Sequence, residues 1–239
     1  LIDGYKFDFR IYLLISTLSP FTVYIYKEGL ARFCTSKYSP PIKKNLDNKF
    51  GHITNTAVNI GNSSATNDFT RTLSDTLRLI ADDPIGENVW EKIKNVSILT
   101  LLSIYPQILA AIPKPKSTPR GESPHVKKGS GASPAAINKY FHICGIDILL
   151  DEDANPFVLE LNDRPSMKVQ FPCEEQLKHD LICDAMKIVT VDGTPLKEQP
   201  DGKNGWEQII PAPESNPMAS VYRSIQQRAT NVFGPKNSI

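Results

Sequence analysis

The chain has 239 residues, 40% of them hydrophobic, and a formal net charge of +1. That length supports one sizeable core or two small domains, and the near-zero charge gives no overall field for nucleic acid or an acidic membrane. The four cysteines, Cys34, Cys144, Cys173 and Cys183, follow neither metal-site nor disulfide-framework spacing, which favours a reducing compartment. The sequence reading finds no apolar run of membrane-spanning length and no basic-then-apolar leader, so an intracellular soluble protein is expected.

In chain order, Lys6 to Ile15 alternates polar and apolar positions. This predicts a strand with Lys6, Asp8 and Arg10 on one face, an arrangement that is usually a solvated edge. Residues 22–26 and 30–35 flank Lys27-Glu28-Gly29. A glycine free to take a positive φ there predicts a tight hairpin, completing a small antiparallel meander. Arg32 then shares an inward-looking face with Leu30 and Cys34. A guanidinium in that place needs an anionic partner or a carboxylate ligand, unless it snorkels to the rim.

Residues 36–50 are polar, carry Pro40-Pro41, and read as a loop. Apolar residues at helical spacing predict core-packing helices over 67–81 (Leu73, Leu77, Ile80) and 88–111 (Val89, Ile93, Val96, Leu99, Leu102). Residues 113–134 form a Pro-, Gly- and Ser-rich break that is locally basic. They read as a disordered insertion, either solvated or a docking arm for an acidic partner. A helix is expected over 135–142.

Cys144 to Pro165 reads as a hairpin turning at Asp151 to Pro156. Period-two geometry puts Phe157, Leu159 and Leu161 on one face and Val158, Glu160 and Asn162 on the other. A symmetric hairpin centred between Asp153 and Ala154 sets Asp147 opposite Glu160. Two opposed carboxylates repel unless a cation sits between them, and Asp, Glu and Asn oxygens suit magnesium. The competing reading is an exposed sheet face whose acids point at water. Residues 174–189 follow as a helix carrying Lys178, for which an ordinary surface position is the alternative. Residues 191–239 read as a partly disordered extension with at most short helices near Trp206 and over 220–228.

Gly145-x-Asp147-Ile148-Leu149-Leu150 followed by Glu160-x-Asn162-x-x-Pro165 resembles the end of the catalytic core of the tubulin–tyrosine ligase-like family, a branch of the ATP-grasp ligases. Lys6-Phe7-Asp8-Phe9-Arg10, Arg32 after Glu28-Gly29, His52-Ile53-Thr54-Asn55 and the helix from Lys178 to Met186 resemble further family stretches, in family order. The resemblance implies that Asp147, Glu160 and Asn162 bind the magnesium ions of ATP. It implies that Lys6, Asp8, Thr54 and Asn55 contact the nucleotide. Arg10 would face the substrate site, and Arg32 and Lys178 would bind the incoming amino acid. Short hydroxyl and amide side chains such as Thr54 and Asn55 can bond ribose or phosphate oxygens without adding charge, though turn and cap chemistry would use the same residues.

The implied fold is α/β (α+β), an ATP-grasp-like C-terminal half with a mostly antiparallel sheet and packed helices. Residues 1–190 would form a partial catalytic domain and 191–239 an extension. The implied reaction is ATP-dependent ligation of an amino acid, glutamate foremost, to a protein carboxylate on tubulin tails through an acyl phosphate. ATP and Mg2+ are the expected cofactors. Tubulin or microtubules and a free amino acid are the expected partners, with no nucleic acid and no membrane. The cytoplasm and cytoskeleton, cilium or flagellum included, are the expected location. Glutamate-adding members typically follow Thr-Asn with Tyr-Ser, where this chain has Thr56-Ala57. A non-catalytic tubulin-binding relative and an ATP-grasp ligase for a small molecule are the alternatives. A chain opening on the Lys6 strand is expected to lack the family's N-terminal domain and phosphate cover. It would then be inactive alone and leave Ile11 and Leu13 exposed.

Overall fold

The computed structural model describes residues 1–62, 69–81, 86–111, 141–189 and 204–233. The 113–134 insertion and residues 135–140 of the helix expected over 135–142 lie outside the described residues, and His142 opens a strand instead. The fold is built on β1 (Phe7–Leu18), whose alternation sends Phe7, Phe9, Ile11 and Leu13 to one face and Asp8, Arg10, Tyr12 and Leu14 to the other. One edge of β1 pairs with β5 (His142–Leu150). The other edge pairs with β3 (Leu30–Phe33) through Phe7 to Arg10 and with β2 (Phe21–Tyr26) through Leu13 to Leu18. β4 (Thr70–Thr72) extends the sheet beyond β3, β7 (Trp206–Ile210) beyond β2, and β6 (Pro156–Asn162) beyond β5. Every pairing is antiparallel within one seven-stranded sheet. With its helices this is the expected α+β class.

The expected hairpin at Lys27-Glu28-Gly29 is not one. Because β5 occupies the far edge of β1, β2 and β3 both lie on the near edge, as one return limb interrupted at 27–29. Gly29 takes no positive φ. It is needed because a Cβ there would lie 2.5 Å from the Arg10 carbonyl oxygen.

Helices α3 (Leu73–Ala81), α4 (Val89–Ala111) and α6 (Ala219–Phe233) contribute buried apolar residues to the first face of the sheet. Ile11 and Leu13 are therefore fully buried, against expectation. α3 begins later than expected, because the β-branched Thr70 and Thr72 are drawn into pairing with β3. α4 corrects another reading: among its 23 residues a stretch of mean hydropathy 1.3 makes it long and apolar enough to cross a membrane. Ser97 and Thr100 return their hydroxyls to the Ile93 and Val96 carbonyls at 2.8 Å, so both polar groups are satisfied within the helix. Here the stripe Ile93, Leu101, Tyr105 and Leu109 packs into the core.

On the second face, α5 (Pro172–Ile188) lays Leu177, Leu181 and Ala185 over Tyr12, Leu14, Tyr26, Leu30 and Trp206. Trp206 lies in a strand, not in the short helix expected near it. Its indole donates to the Leu181 carbonyl at 3.1 Å and the Gly205 amide donates to Asp184 at 2.8 Å, which ties β7 to α5.

The β5–β6 register sets Asp147 opposite Glu160, as the symmetric hairpin requires. One residue further on, Ile148 pairs with Val158, so Leu159 is an inserted residue. The phase slip turns Val158 and Leu161 toward the core and leaves Phe157 and Leu159 exposed, which overturns the simple alternation read for this strand.

Candidate functional site

α5 covers only part of the second face. Beyond it, Asp8 and Arg10 from β1, Arg32 from β3 and Asp147 from β5 stand side by side. The register makes Asp8 the partner of Arg32 and Arg10 the partner of Asp147. Arg32 donates Nε and Nη2 to the two Asp8 oxygens, both at 2.7 Å, and Nη2 also to Asp147 Oδ2 at 2.7 Å. Arg10 Nη2 donates to Asp147 Oδ2 at 3.0 Å, and its Nε to Oδ1. Thr54 Oγ1 closes the network on Asp8 Oδ2 at 2.5 Å. Asp8 and Asp147 are each 2% exposed and Arg32 9%, so these are charges removed from water and held by alternating partners.

The electrostatics follow. Burial works to raise the Asp147 pKa, but the Arg10 and Arg32 guanidiniums together outweigh it and hold the carboxyl below the usual range. Burial likewise works against the charge on Arg32, and Asp8 and then Asp147 overcome it, raising its pKa. Tyr12, the next residue along the same face, is pushed up to about 12, chiefly by burial.

Gly145 explains how Arg10 reaches across. A Cβ there would sit 2.9 Å from Arg10 Cδ and 3.2 Å from both Arg10 Nε and Pro165 Cβ. The guanidinium lies along the space that the absent side chain leaves.

Glu160 is exposed and accepts a hydrogen bond from Asn162 Nδ2 at 3.1 Å. Among the described residues no three His, Cys, Asp or Glu side chains cluster closely enough to hold a metal ion by themselves. Asp147, Glu160 and the Asn162 amide oxygen nevertheless fit magnesium in donor chemistry and in register. The fit has one condition, since two guanidiniums already hold the Asp147 carboxylate.

Other expected site residues are placed differently. Lys6 Nζ donates to the His52 carbonyl at 2.8 Å, beside the network but not bonded to it. Asn55 caps α2 (Thr56–Asn59), its side chain accepting from the Ala57 amide at 2.8 Å, which is the cap chemistry weighed as the alternative. Lys178 is not a surface residue: it is 6% exposed, lies 3.2 Å from Glu174 and donates to the Lys168 carbonyl at 2.5 Å.

Sequence reasoning passed over Tyr12, Gly145 and Glu174. Glu174 is 4% exposed and also accepts from the Gln170 and Phe171 amides at 2.6 and 3.3 Å, fixing the segment that leads into α5. Its signal was its place four residues before Lys178, a spacing that pairs opposite charges on one helix face.

The model of the tubulin-tyrosine ligase family matches residues 1–199. The chain belongs to that family. It is 29% identical to the human protein named tubulin polyglutamylase TTLL6 over 246 residues, covering 99% of this chain and 26% of that protein. It is 33% identical to mouse tubulin polyglutamylase TTLL13 over 220 residues, covering 88% of this chain and 26% of that protein. A probable beta-tubulin polyglutamylase of Tetrahymena thermophila is 33% identical over 199 residues, covering 79% of this chain and 15% of that protein. The chain thus spans about a quarter or less of the length of these curated relatives.

Proposed function

We propose that this member of the tubulin-tyrosine ligase family contributes the catalytic sheet face of an ATP-dependent ligase that adds glutamate to carboxylates of tubulin tails. The observation that carries this reading is the charged end of the second sheet face, where Asp8, Arg32, Asp147, Arg10 and Thr54 form one bonded network beside Asn162 and the exposed Glu160. Three relatives bear names of tubulin polyglutamylases, which supports tubulin as acceptor and glutamate as the amino acid.

In this reading the acceptor carboxylate takes the terminal phosphoryl group of ATP and becomes an acyl phosphate. The amine of glutamate then attacks its carbonyl carbon and displaces phosphate, forming the amide bond. Asp147, Glu160 and Asn162 would hold magnesium, which when bound neutralises charge on the phosphoryl oxygens. Arg10 and Arg32 orient carboxylates through planar bidentate donors. Lys6, Asp8, Thr54 and Asn55 line the nucleotide side. Lys178 acts on the amino acid through the segment it pins at Lys168. Because Glu160 is exposed in this chain, its contacts are worth a small fraction of their buried value, and the chain alone turns over no substrate. The work is assigned to the cytoskeleton, cilia included.

The test exchanges this chain into the matching quarter of human TTLL6. Mass spectrometry then follows tubulin tails incubated with ATP, magnesium and glutamate. ATP-dependent glutamyl additions are expected. A folded chimera that leaves tubulin unmodified, beside an active parent, contradicts the proposal. A second reading, a module that binds tubulin without chemistry, is favoured by the three hydrogen bonds that tie Asp147 to two arginines; it predicts a chimera that binds tubulin and never modifies it.

A further inference from the structure

Asp147 is needed twice. Its oxygens accept hydrogen bonds from Arg10 Nε and Nη2 and from Arg32 Nη2, filling most of the roughly four lone-pair sites a carboxylate offers. The reading above, on which this inference rests, also needs Asp147 as a magnesium donor opposite Glu160. Guanidinium and cation carry the same sign and claim the same oxygens.

The two arginines are not equally committed. Arg32 is anchored by both oxygens of Asp8 as well, so it is held in place independently of Asp147. Arg10 bonds no second carboxylate among the described residues, and its side chain lies in the slot that Gly145 leaves. Arg10 is therefore the one that can move.

We propose that Arg10 gates the cation site: it clamps Asp147 in the metal-free chain, and a divalent cation binds at Asp147, Glu160 and Asn162 as Arg10 swings off the carboxylate. The displaced guanidinium then offers its planar fork to an anionic group of a substrate. By linkage, an anion that captures Arg10 tightens the cation, and the cation frees Arg10 for the anion. Gly145 is the positioning residue of the clamp.

The test measures binding of Mn2+ alone to the full chain, without nucleotide, from the electron paramagnetic resonance signal of the free ion. Arg10→Met should bind Mn2+ about tenfold tighter or more than the unaltered chain, since one competing set of charge-assisted bonds is gone. Loss of a nearby positive charge would help any cation. Two charge-preserving variants therefore decide the matter. Arg10→Lys loses the bidentate fork, and Gly145→Ala crowds Arg10 out of its slot. Tighter Mn2+ binding in either one supports the gate, and unchanged or weaker binding in both overturns it. Glu160→Gln placed on Arg10→Met should abolish the gain. If the gain persists there, the cation sits elsewhere, and the magnesium reading of the hairpin fails rather than the clamp.

Discussion

Arg32 ties the polar face together, because among the described residues it alone bonds both Asp8 and Asp147, which are buried. Replacing it with Met leaves those charges short of a partner, and breaking a buried pair in this way costs about 3–5 kcal/mol. Urea unfolding of Arg32→Met should show a loss of that size; a loss below about 1 kcal/mol, the range of exposed pairs, would contradict the burial argument. The sequence called for an anionic partner here, yet could not name it. Asp147 lies 115 residues away and Thr54 lies 46 residues from Asp8, so both contacts depend on strand pairing that no local pattern encodes.

Asp151 at the hairpin turn behaves differently, since it is fully exposed. The Asn155 backbone amide is the main cause holding its carboxyl below the ordinary value of 3.8, with the Asn155 side chain and the Asp153 amide adding to it. A folded-state pKa below the unfolded one means that its contribution is present in full above about pH 4 and fades as pH falls through the lowered value. A carboxyl-carbon NMR titration should place Asp151 below 3.8. Asn155→Ala should move it upward. Titration at or above the ordinary value would contradict the turn geometry.

At the scale of elements, alternation in the sequence is enough to locate β1, β2, β3, β5 and β6, but not to arrange them. Lys27-Glu28-Gly29 carries the local signature of a turn, and only the pairing of β1 along both edges reveals one broken limb. Leu159 carries no glycine or proline to announce its bulge, so the side-chain phase of β6 was unreadable past that point. β7 escaped notice because a five-residue strand beside the sheet's outer limb needs little patterning of its own. Gly29 tests the broken limb directly. Gly29→Ala pushes a methyl against the Arg10 carbonyl oxygen, 2.5 Å away. An overpacked site of this kind costs about 1–3 kcal/mol. Thermal unfolding should report that loss, with faster amide exchange over β3. A variant as stable as the parent, or more so, would mean that the Gly29 backbone does not crowd the Arg10 carbonyl in this way.

For the whole molecule, what matters is that the two faces of the sheet are unequally covered. α3, α4 and α6 close over the first, while α5 covers the apolar end of the second; at the charged end Asp8, Arg32 and Asp147 are buried and Glu160 is exposed. Expectation had Ile11 and Leu13 at a raw surface, and they are buried because α3, α4 and α6 pack over that face of β1. At the charged end Arg10 is partly accessible and Glu160 exposed. The motifs on this face could be read one at a time from the sequence. Their convergence, and the arginine clamp on Asp147, required the fold.

The central claim is that ligation takes place at this charged end, with Glu160 as an essential oxygen donor. Glutamate incorporation into tubulin by the TTLL6 chimera carrying Glu160→Gln tests it most directly, with Glu152→Gln in the exposed turn as the matched control. Removing one of two opposed carboxylates relieves repulsion, so Glu160→Gln should unfold no earlier than the parent. Its incorporation rate should nevertheless fall by about a hundredfold or more, while Glu152→Gln keeps the parental rate. Undiminished incorporation by a folded Glu160→Gln chimera would move the chemistry off this face.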